Sequence, residues 1–488
     1  MRISSRLVSV VFSHLALLCG LVALPTVGQS GSLSVLNWIP PTPLTGSPCD
    51  FFTYPATTPP PPAGTCPTSI AGAKEVTGTI PMWLSSDTAS TVLYGTPPQT
   101  TQPIAMVGKD PSVPKTGATT IDTKIIPIVF TGSTSTASYV FDPENTDVCS
   151  PKKTPALNMV QGSPVFKPNK LLVGPMGVPG VSLGTYQFGS QFQRANFGTY
   201  TIKTGSNATP VSPNCDISLS QVLSNQEEKK GHSIAIIDPA ASASLTALPY
   251  TINGMVQTDS DWCAPLAIFD GNELDTLLQT QIIPALKPAG ITPSTLPIFL
   301  LTNVAMSYTV IDTTVTPNTS TTYCCILGYH NAYLSLTTGA TANKLQTYIV
   351  ANYDTTGGTV NSGTANPKSY TGAFPTAPNI VALANMVAGW INNPTTLNPT
   401  HSFPASTSSG TATALEVAFP QCPTGLGGKL TTITMPNKLT YSVQDLAFKQ
   451  WFYDGATTTG FNGLTSPAYS MFGNLPAPNP SLGCPLPP

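Results

Sequence analysis

Cysteines are the residues that most constrain how this chain can fold, because each disulfide joins distant parts of the backbone. The 488-residue sequence contains ten cysteines, and all but one follow residue 29. None are spaced as Cys-x-x-Cys, which excludes a zinc ribbon or a thioredoxin-type site at the level of sequence. In an oxidising compartment they most simply form disulfides, with one thiol left over. From proximity, chain order and the strand pattern, the expected pairs are Cys49–Cys66, Cys422–Cys484, and Cys263 with Cys324 or Cys325.

The N-terminus has the layout of a secretory signal peptide at residues 1–29. A positively charged start precedes an almost unbroken apolar run at residues 7–24. The small residues Thr26 and Gly28 then suit the −3 and −1 positions of a signal peptidase site. The apolar run is borderline short for a membrane span and is followed by a helix breaker. We therefore expect export with cleavage near residues 28–31, no membrane span after signal removal, and a secreted or extracytoplasmic location in the cell envelope.

The chain carries few groups that can do chemistry or bind a polyanion. Charged residues make up 9% of the sequence and there are four histidines, whereas roughly a quarter of an ordinary soluble protein is charged. Nucleic-acid binding relies on clustered Lys and Arg, and beyond the signal the single arginine is Arg194. Nucleic acid and anionic membranes are excluded as partners on this basis, and the expected partner is an unknown extracytoplasmic ligand. Arg194 itself is predicted to be a buried structural cation rather than an anion site.

Composition divides the mature chain into three parts. Residues 30–75 are rich in Pro and Thr, which is typical of a polyproline II or extended segment. Residues 76–165 contain short β-branched runs separated by turn residues, which predict a β-rich module. Residues 166–488 mix strand and helix patterns, and after signal removal about 460 residues suffice for two or three domains. The predicted fold class is α+β, a β-rich N-terminal module followed by an α+β domain.

Strand patterns occur in both later parts. The nearly continuous apolar run at residues 297–304 is typical of a buried central strand. Residues 124–130 and 137–141 predict a strand pair in the β-rich module, and further strands are predicted at residues 248–253, 266–269, 323–329 and 345–351.

Three helices are predicted in the last part. Asp270 and Glu273 form a capping box ahead of leucines at helical spacing, and Pro284 should kink or end that helix. A second helix, at residues 378–393, begins at a proline suited to the first helical position and is ended by the next proline. A second capping-box pattern predicts a third helix from Ser442.

Motifs of the common hydrolases are absent from the sequence. There is no Gly-x-Ser-x-Gly elbow and no Gly-rich phosphate loop,. After the signal, the histidines are His232, His330 and His401, none of which forms the i, i+4 pair of a catalytic zinc helix,. His330, at the end of a predicted strand, is expected to be structural.

Several short segments occur in a recognisable order, at residues 125–128, 140–143, 161–166, 191–197, 327–332, 383–394 and 446–453. Over roughly residues 85–470 they resemble a largely uncharacterised family of exported bacterial proteins. In many members the helix at 378–393 reads Leu-Ser-His-Glu-x-x-Glu-Trp-x-x-Asp-Pro, which is similar to a zincin-type metallopeptidase helix. By this resemblance the histidine falls on Asn385, the first glutamate on Met386, the second on Gly389 and the aspartate on Asn393, while Trp390 and Pro394 keep the pattern. A later family segment, Glu-Val-Gly-Asp-Pro, falls on residues 416–420 and has lost its aspartate.

The resemblance implies an α+β domain of zincin-like layout with a degenerate metal site. Asn385 and Gly389 lie one helical turn apart, but neither they nor Met386 can hold zinc or deprotonate water. No catalytic residue, metal or cofactor is therefore predicted, and the protein is expected to be a pseudoenzyme that binds a ligand or has a structural role. Candidate cleft residues are His330, His401, Glu416 and Trp390.

Two other functions stay open. An active secreted metallohydrolase would need an unconventional ligand set such as His330, His401 and Glu416. A structural or adhesive cell-surface protein is suggested by the 51 prolines and the abundant Thr, Ser and Gly.

Overall fold

The structure is a mixture of strands and a few short helices. The predicted α+β class is therefore confirmed at the level of a mixed fold, and the signal segment lies outside the described residues. The computed structural model describes residues 44–55, 62, 64–67, 70–87, 102–110, 117–170, 181–182, 185–196, 201–202, 216–222, 233–237, 250–260, 262–312, 319–335, 344–356, 380–398, 400–402, 411–413 and 430–444.

Helices and strands are numbered separately along the chain. The helices are α1 (Ala156–Gln161), α2 (Phe188–Asn196), α3 (Gly271–Leu277), α4 (Ile283–Ala285) and α5 (Val381–Asn392), with a π-helical turn at Leu278–Ile282 and 3₁₀ turns at Pro48–Phe51, Pro151–Lys153 and Lys287–Ala289. The strands are β1 (Phe52–Thr53), β2 (Lys74–Glu75), β3 (Met82–Asp87), β4 (Gln102–Val107), β5 (Thr119–Pro127), β6 (Val129–Ser133), β7 (Ser138–Phe141), β8 (Asn169–Lys170), β9 (Val181–Ser182), β10 (Thr185–Tyr186), β11 (Thr201–Ile202), β12 (Ile217–Val222), β13 (Ser233–Ile237), β14 (Tyr250–Gln257), β15 (Leu266–Asp270), β16 (Thr295–Thr302), β17 (Val304–Asp312), β18 (Thr319–Ile326), β19 (Gly328–Ser335), β20 (Lys344–Tyr353), β21 (Thr400–Ser402), β22 (Thr411–Thr413), β23 (Leu430–Thr434) and β24 (Thr440–Gln444).

A five-stranded sheet carries most of the core, with the strand order β12-β5-β16-β20-β19. Its first four strands are parallel, and β19 is antiparallel to β20 at one edge. Every residue of the middle strand β16 is buried. This confirms the prediction of a buried central strand from the apolar run, because a parallel strand covered on both faces has no polar side to present.

Helices cover both faces of this sheet. Successive residues of a strand point to opposite faces. Thr347 of β20 accepts a hydrogen bond from Trp390 of α5, whereas its neighbour Tyr348 donates one to Asp275 of α3. Helices α5 and α3 therefore lie on opposite sides of the β19–β20 edge.

A seven-stranded mixed sheet, in the order β18-β17-β15-β14-β13-β6-β7, continues directly from the first. The chain passes between the two sheets across single residues, Ile128 between β5 and β6, Asn303 between β16 and β17, and Leu327 between β18 and β19. At each crossing, one extended segment of the chain therefore supplies one strand to each of the two sheets.

Asn303 shows how one residue can make this crossing. Its backbone is left-handed, with φ of 53°, a conformation that asparagine adopts more readily than most residues. Its N–H donates to the Tyr353 carbonyl at 3.1 Å, and its own carbonyl accepts from Ala267 at 3.2 Å. The side-chain Oδ1 also accepts from the Thr355 N–H at 3.0 Å. The residue thus joins strands of both sheets.

These crossings correct two strand predictions. Residues 124–130 form the end of β5 and the start of β6, and residues 323–329 form the end of β18 and the start of β19. Hydrophobic periodicity could not reveal the change, because Ile128 and Leu327 are apolar like their neighbours. The predicted pairing with residues 137–141 holds for β6, which is antiparallel to β7. Of the strands within residues 76–165, β5 belongs to the five-stranded sheet and β6 and β7 belong to the seven-stranded sheet.

The helix after β15 begins at the predicted cap and ends one residue after the predicted proline. Asp270 caps it, with Oδ1 accepting from the N–H groups of Asn272 at 2.7 Å and Glu273 at 3.3 Å. The Glu273 carboxylate accepts from the Asn253 N–H at 2.7 Å instead of closing the capping box. The helix widens into the π-helical turn and continues past Pro284 to Ala285, so the proline is accommodated near its end.

The prediction of a helix from Ser442 is wrong within the described residues. Ser442 lies in β24, which is antiparallel to β23. Tyr441 and Val443 are buried in the main core on either side of it. Their two-residue spacing suits a strand, and this outweighs the short capping pattern. Residues beyond 444 lie outside the described residues.

Two disulfides are formed among the described residues. Cys49–Cys66 confirms the prediction, and Cys422 and Cys484 lie outside the described residues. Cys263 pairs with Cys149, so its predicted pairing with Cys324 or Cys325 is wrong. The reason is strand order, since β17 lies between β15, which follows Cys263, and β18, which carries the other two cysteines.

Arg194 is a buried structural cation, as predicted. It donates to both carboxylate oxygens of Asp216, at 2.6 and 2.8 Å, and its guanidinium lies 3.6 Å from the centre of the Tyr186 ring. A buried ion pair of this geometry uses the fork of the guanidinium fully, which leaves it committed to the fold.

We predict that Asn303→Ala lowers the free energy of unfolding by about 3 kcal/mol, because it adds left-handed backbone strain of about 1–2 kcal/mol to the loss of the side-chain hydrogen bonds. Asn303→Gly removes the same hydrogen bonds without that backbone strain, so it should cost about 1–2 kcal/mol. Urea unfolding measures both. If the two variants lose the same free energy of unfolding, the left-handed backbone at residue 303 adds no strain to the alanine variant.

Candidate functional site

Helix α5 carries the positions where the family resemblance places metal ligands. It follows β20 in the chain and packs on β19 and β20. All of its residues, from Val381 to Asn392, are buried. The helix begins after the expected proline, which lies outside the described residues, and ends before Pro394 as predicted. Such all-round burial is typical of a core helix rather than of one wall of an open cleft.

The side chain of His330 packs against helix α5 at Gly389. A Cβ placed on Gly389 would lie 3.2 Å from Nε2 and 3.3 Å from Cδ2 of His330. The imidazole therefore packs directly on the helix backbone, at the position where the resemblance places a glutamate. This contact is a packing reason for a glycine that costs about 1 kcal/mol relative to alanine in a helix.

His330 is held in its neutral form. It lies on β19, is 7% exposed, and burial lowers its pKa from 6.5 to about 4. Burial favours the uncharged imidazole because the charged form loses its hydration. Among the described residues no group of three or more His, Cys, Asp or Glu side chains is placed to hold a metal ion.

The other positions of the family pattern, on α5 and at its C-terminal cap Asn393, are buried in the interior. Asn385 is 1% exposed. Met386 packs against β19, where a Cβ on Gly328 would lie 3.1 Å from its Cγ. The Asn393 side chain accepts from the Asn398 N–H at 3.1 Å. Trp390, which keeps the family pattern, donates to Thr347 Oγ1 at 3.1 Å. Met386 and Trp390 thus contact the sheet, and Asn393 contacts the loop that follows the helix.

Asn398 makes a set of buried contacts beside α5 that the sequence did not predict. Its side-chain amide accepts from the Ala105 N–H and donates to the Ala105 carbonyl, both at 2.8 Å, as a peptide group of a neighbouring strand would. The same amide donates to the Asn392 carbonyl at the end of α5 at 2.7 Å. It thus ties β4 to the helix. The only sequence signal is a repeated Asn-Pro-Thr, at residues 393–395 and 398–400.

A buried carboxylate lies on the opposite face of the sheet. Asp275 of α3 is fully buried and accepts from Tyr348, from Asn331 at 3.1 Å and from Gln279 at 3.0 Å. Burial, and secondarily the Asp275 charge, raise the pKa values of the Tyr348 and Tyr329 hydroxyls well above the usual range. These tyrosines therefore act as hydrogen-bond donors, and the cluster fastens the helix to the sheet. Its sequence signal was one acid among the leucines of the predicted apolar face.

The structure brings some of the predicted cleft residues together and leaves others apart. His330 and Trp390 lie at the same interface between α5 and the sheet. His401 lies on β21, and its side chain is outside the described part of the chain. Glu416 also lies outside the described residues.

We predict that Gly389→Ala is neutral or destabilising in the wild-type protein, because its methyl group meets His330. In a His330→Ala background the same change should stabilise the protein by about 1 kcal/mol, the ordinary helix preference for alanine. Chemical unfolding of the four proteins of this double-mutant cycle measures the coupling. Equal effects in both backgrounds would show that the imidazole does not restrict this position.

We predict an acid-sensitive loss of stability from His330. Its pKa is about 4 in the folded protein and 6.5 when unfolded, so its contribution is complete above pH 6.5 and is lost as the pH falls towards 4. The loss should approach about 3 kcal/mol. His330→Gln should remove this part of the pH dependence, while the carboxylates titrate equally in both proteins. Urea unfolding at a series of pH values measures the free energy of unfolding of both proteins. If this free energy has the same slope against pH between 6.5 and 4 in the two proteins, the prediction is contradicted.

The part of the chain that the structure describes contains no helix long and apolar enough to cross a membrane.

Comparison of the chain with protein-family models, with curated proteins and with solved structures finds no match.

Proposed function

We propose that this protein is an exported pseudoenzyme, in which a metallopeptidase-like domain of zincin-like layout has lost its metal site and serves a binding or structural role outside the cytoplasm. The observation that carries the proposal is the contact between His330 and Gly389. At the helix position where the resemblance places a carboxylate, a neutral imidazole fills the space instead.

The chemistry of the other positions supports the same conclusion. An amide at residue 385, a thioether at residue 386 and an amide at residue 393 replace the histidine and carboxylates of the family pattern. Amides and thioethers cannot deprotonate a water molecule as a zinc site requires. The buried contacts of Met386 and Asn393 give these residues packing roles.

The zincin-like layout is supported by the relation of helix to sheet. Helix α5 follows the last parallel strand of the five-stranded sheet in the chain and lies against the antiparallel edge strand β19. Positions 385 and 389, one turn apart, share the helix face on which His330 packs at residue 389,.

Export is supported by the signal-like N-terminus and by the two disulfides. Disulfides persist in extracytoplasmic compartments and are rare where thiols are kept reduced. A secreted or cell-envelope location follows for the mature chain, and its partner is proposed to be an extracytoplasmic ligand.

Metal analysis of the full-length mature protein tests this function. We expect no stoichiometric zinc after equilibration with zinc and gel filtration, and no hydrolysis of a peptide library, because the helix offers no ligand set. Stoichiometric zinc that is lost in His330→Ala and also in His401→Ala would overturn the proposal in favour of a metallohydrolase. His232→Ala, at a histidine outside that candidate set, is the matched control.

A further inference from the structure

The Cys149–Cys263 disulfide is placed to control the start of the connection between β20 and α5. It joins the segment after β7 to the segment before β15, across 114 residues of sequence. Cys263 is exposed and Cys149 is half-buried, whereas in the other described disulfide Cys49 is fully buried and Cys66 is half-buried. A reductant in solution can therefore approach Cys149–Cys263 from the exposed residue Cys263, whereas neither cysteine of Cys49–Cys66 is exposed.

Hydrogen bonds link this disulfide to residues 354–356, which follow β20. The Cys263 N–H donates to the Thr356 carbonyl at 3.0 Å. From the other half of the disulfide, the Cys149 N–H donates to Asp147 Oδ1 at 2.9 Å, and Asp147 Oδ2 accepts from Thr355 Oγ1 at 2.7 Å. The disulfide and these bonds form a closed ring of contacts, which we call the 149–263 clamp.

The clamp encloses a buried turn. Thr355 is 2% exposed and Thr356 is fully buried, although Cys263, which is hydrogen-bonded to Thr356, is exposed. Thr355 also donates its N–H to Asn303, the residue at which the chain crosses between the sheets. Opening the clamp would therefore act on the sheet junction at Asn303 as well as on the residues that follow β20.

We propose that the 149–263 clamp is a redox-sensitive device, opened by a protein dithiol of the thiol–disulfide oxidoreductase class. A thiolate of the reductant attacks one sulfur to form a mixed disulfide, and its second thiol then resolves it. The S–S bond breaks with the uptake of two electrons and two protons. Cys149 and Cys263 become thiols, and the reductant becomes a disulfide.

Opening the clamp loosens the turn without unfolding the protein. After reduction, no disulfide joins the two loops that carry Asp147 and Cys263. The hydrogen bonds of these two residues to the turn then lose their covalent support. Exposed disulfides are the ones that are generally reducible in native proteins, and local opening of such a turn is detected as amide exchange. The order of residues 354–356 thus depends on the redox state of the compartment.

Timed reduction of the native, full-length mature protein tests the proposal. Thiols formed in dithiothreitol are trapped with a light alkylating reagent, and the remaining cysteines are reduced and labelled with its heavy form before peptide mass spectrometry. We expect Cys149 and Cys263 to be labelled about tenfold faster than Cys49 and Cys66. Equal rates, or labelling only after denaturation, would overturn the proposal.

Hydrogen exchange of the reduced protein supplies the second readout. Amide exchange at residues 352–356 should rise about tenfold on reduction, while the helix at residues 271–277 serves as an internal reference. The Cys149→Ser/Cys263→Ser protein should show the fast exchange without reductant, and Cys49→Ser/Cys66→Ser should keep the response. Unchanged exchange at residues 352–356 after complete reduction would refute the device. If the first variant does not fold, the wild-type exchange measurement decides alone.

Discussion

The two sheets depend on a group of backbone and amide hydrogen bonds at the places where the chain crosses between them. The Ile128 N–H donates to Leu300 of β16 at 3.0 Å, and the Leu327 carbonyl accepts from Asn352 of β20 at 2.8 Å. Asn352 also accepts from Val304 through its side chain at 3.3 Å. Every crossing is thus hydrogen-bonded to β16 or to its parallel neighbour β20. Because buried backbone groups must find partners, the sheets cannot separate without exposing several of these groups at once.

This constraint also explains the state of the candidate site. Helix α5 lies on strands that are fixed by the crossings, so its distance from β19 is set by the sheet rather than by a ligand. A residue as small as glycine at position 389 then lets the helix backbone meet the imidazole. Close packing of this kind excludes water and makes the interface part of the core. On the other face, the Asp275 cluster fixes α3 to the same strands with hydrogen bonds.

The sequence predicted those features whose signals are local. The apolar run of β16, the Asp270 cap, the α5 segment before Pro394 and the Cys49–Cys66 bond each depend on residues close together in the chain. The crossings at Ile128 and Leu327 could not be predicted, because a change of sheet leaves the apolar pattern intact. The partner of Cys263 depended on strand order, and the Asn398 contacts on residues far apart in the chain.

The Asn398 amide has a consequence for the order in which the protein folds. It completes the backbone hydrogen bonding of Ala105, which lies 293 residues earlier in the chain. At synthesis rates of about 5–20 residues per second, the β3–β4 hairpin waits about 15 to 60 seconds for its partner. During this interval one N–H and one carbonyl of the edge strand are open to pairing with other chains. The backbone pairing of a strand near the start of the fold is therefore completed only by a side chain that is synthesised 293 residues later.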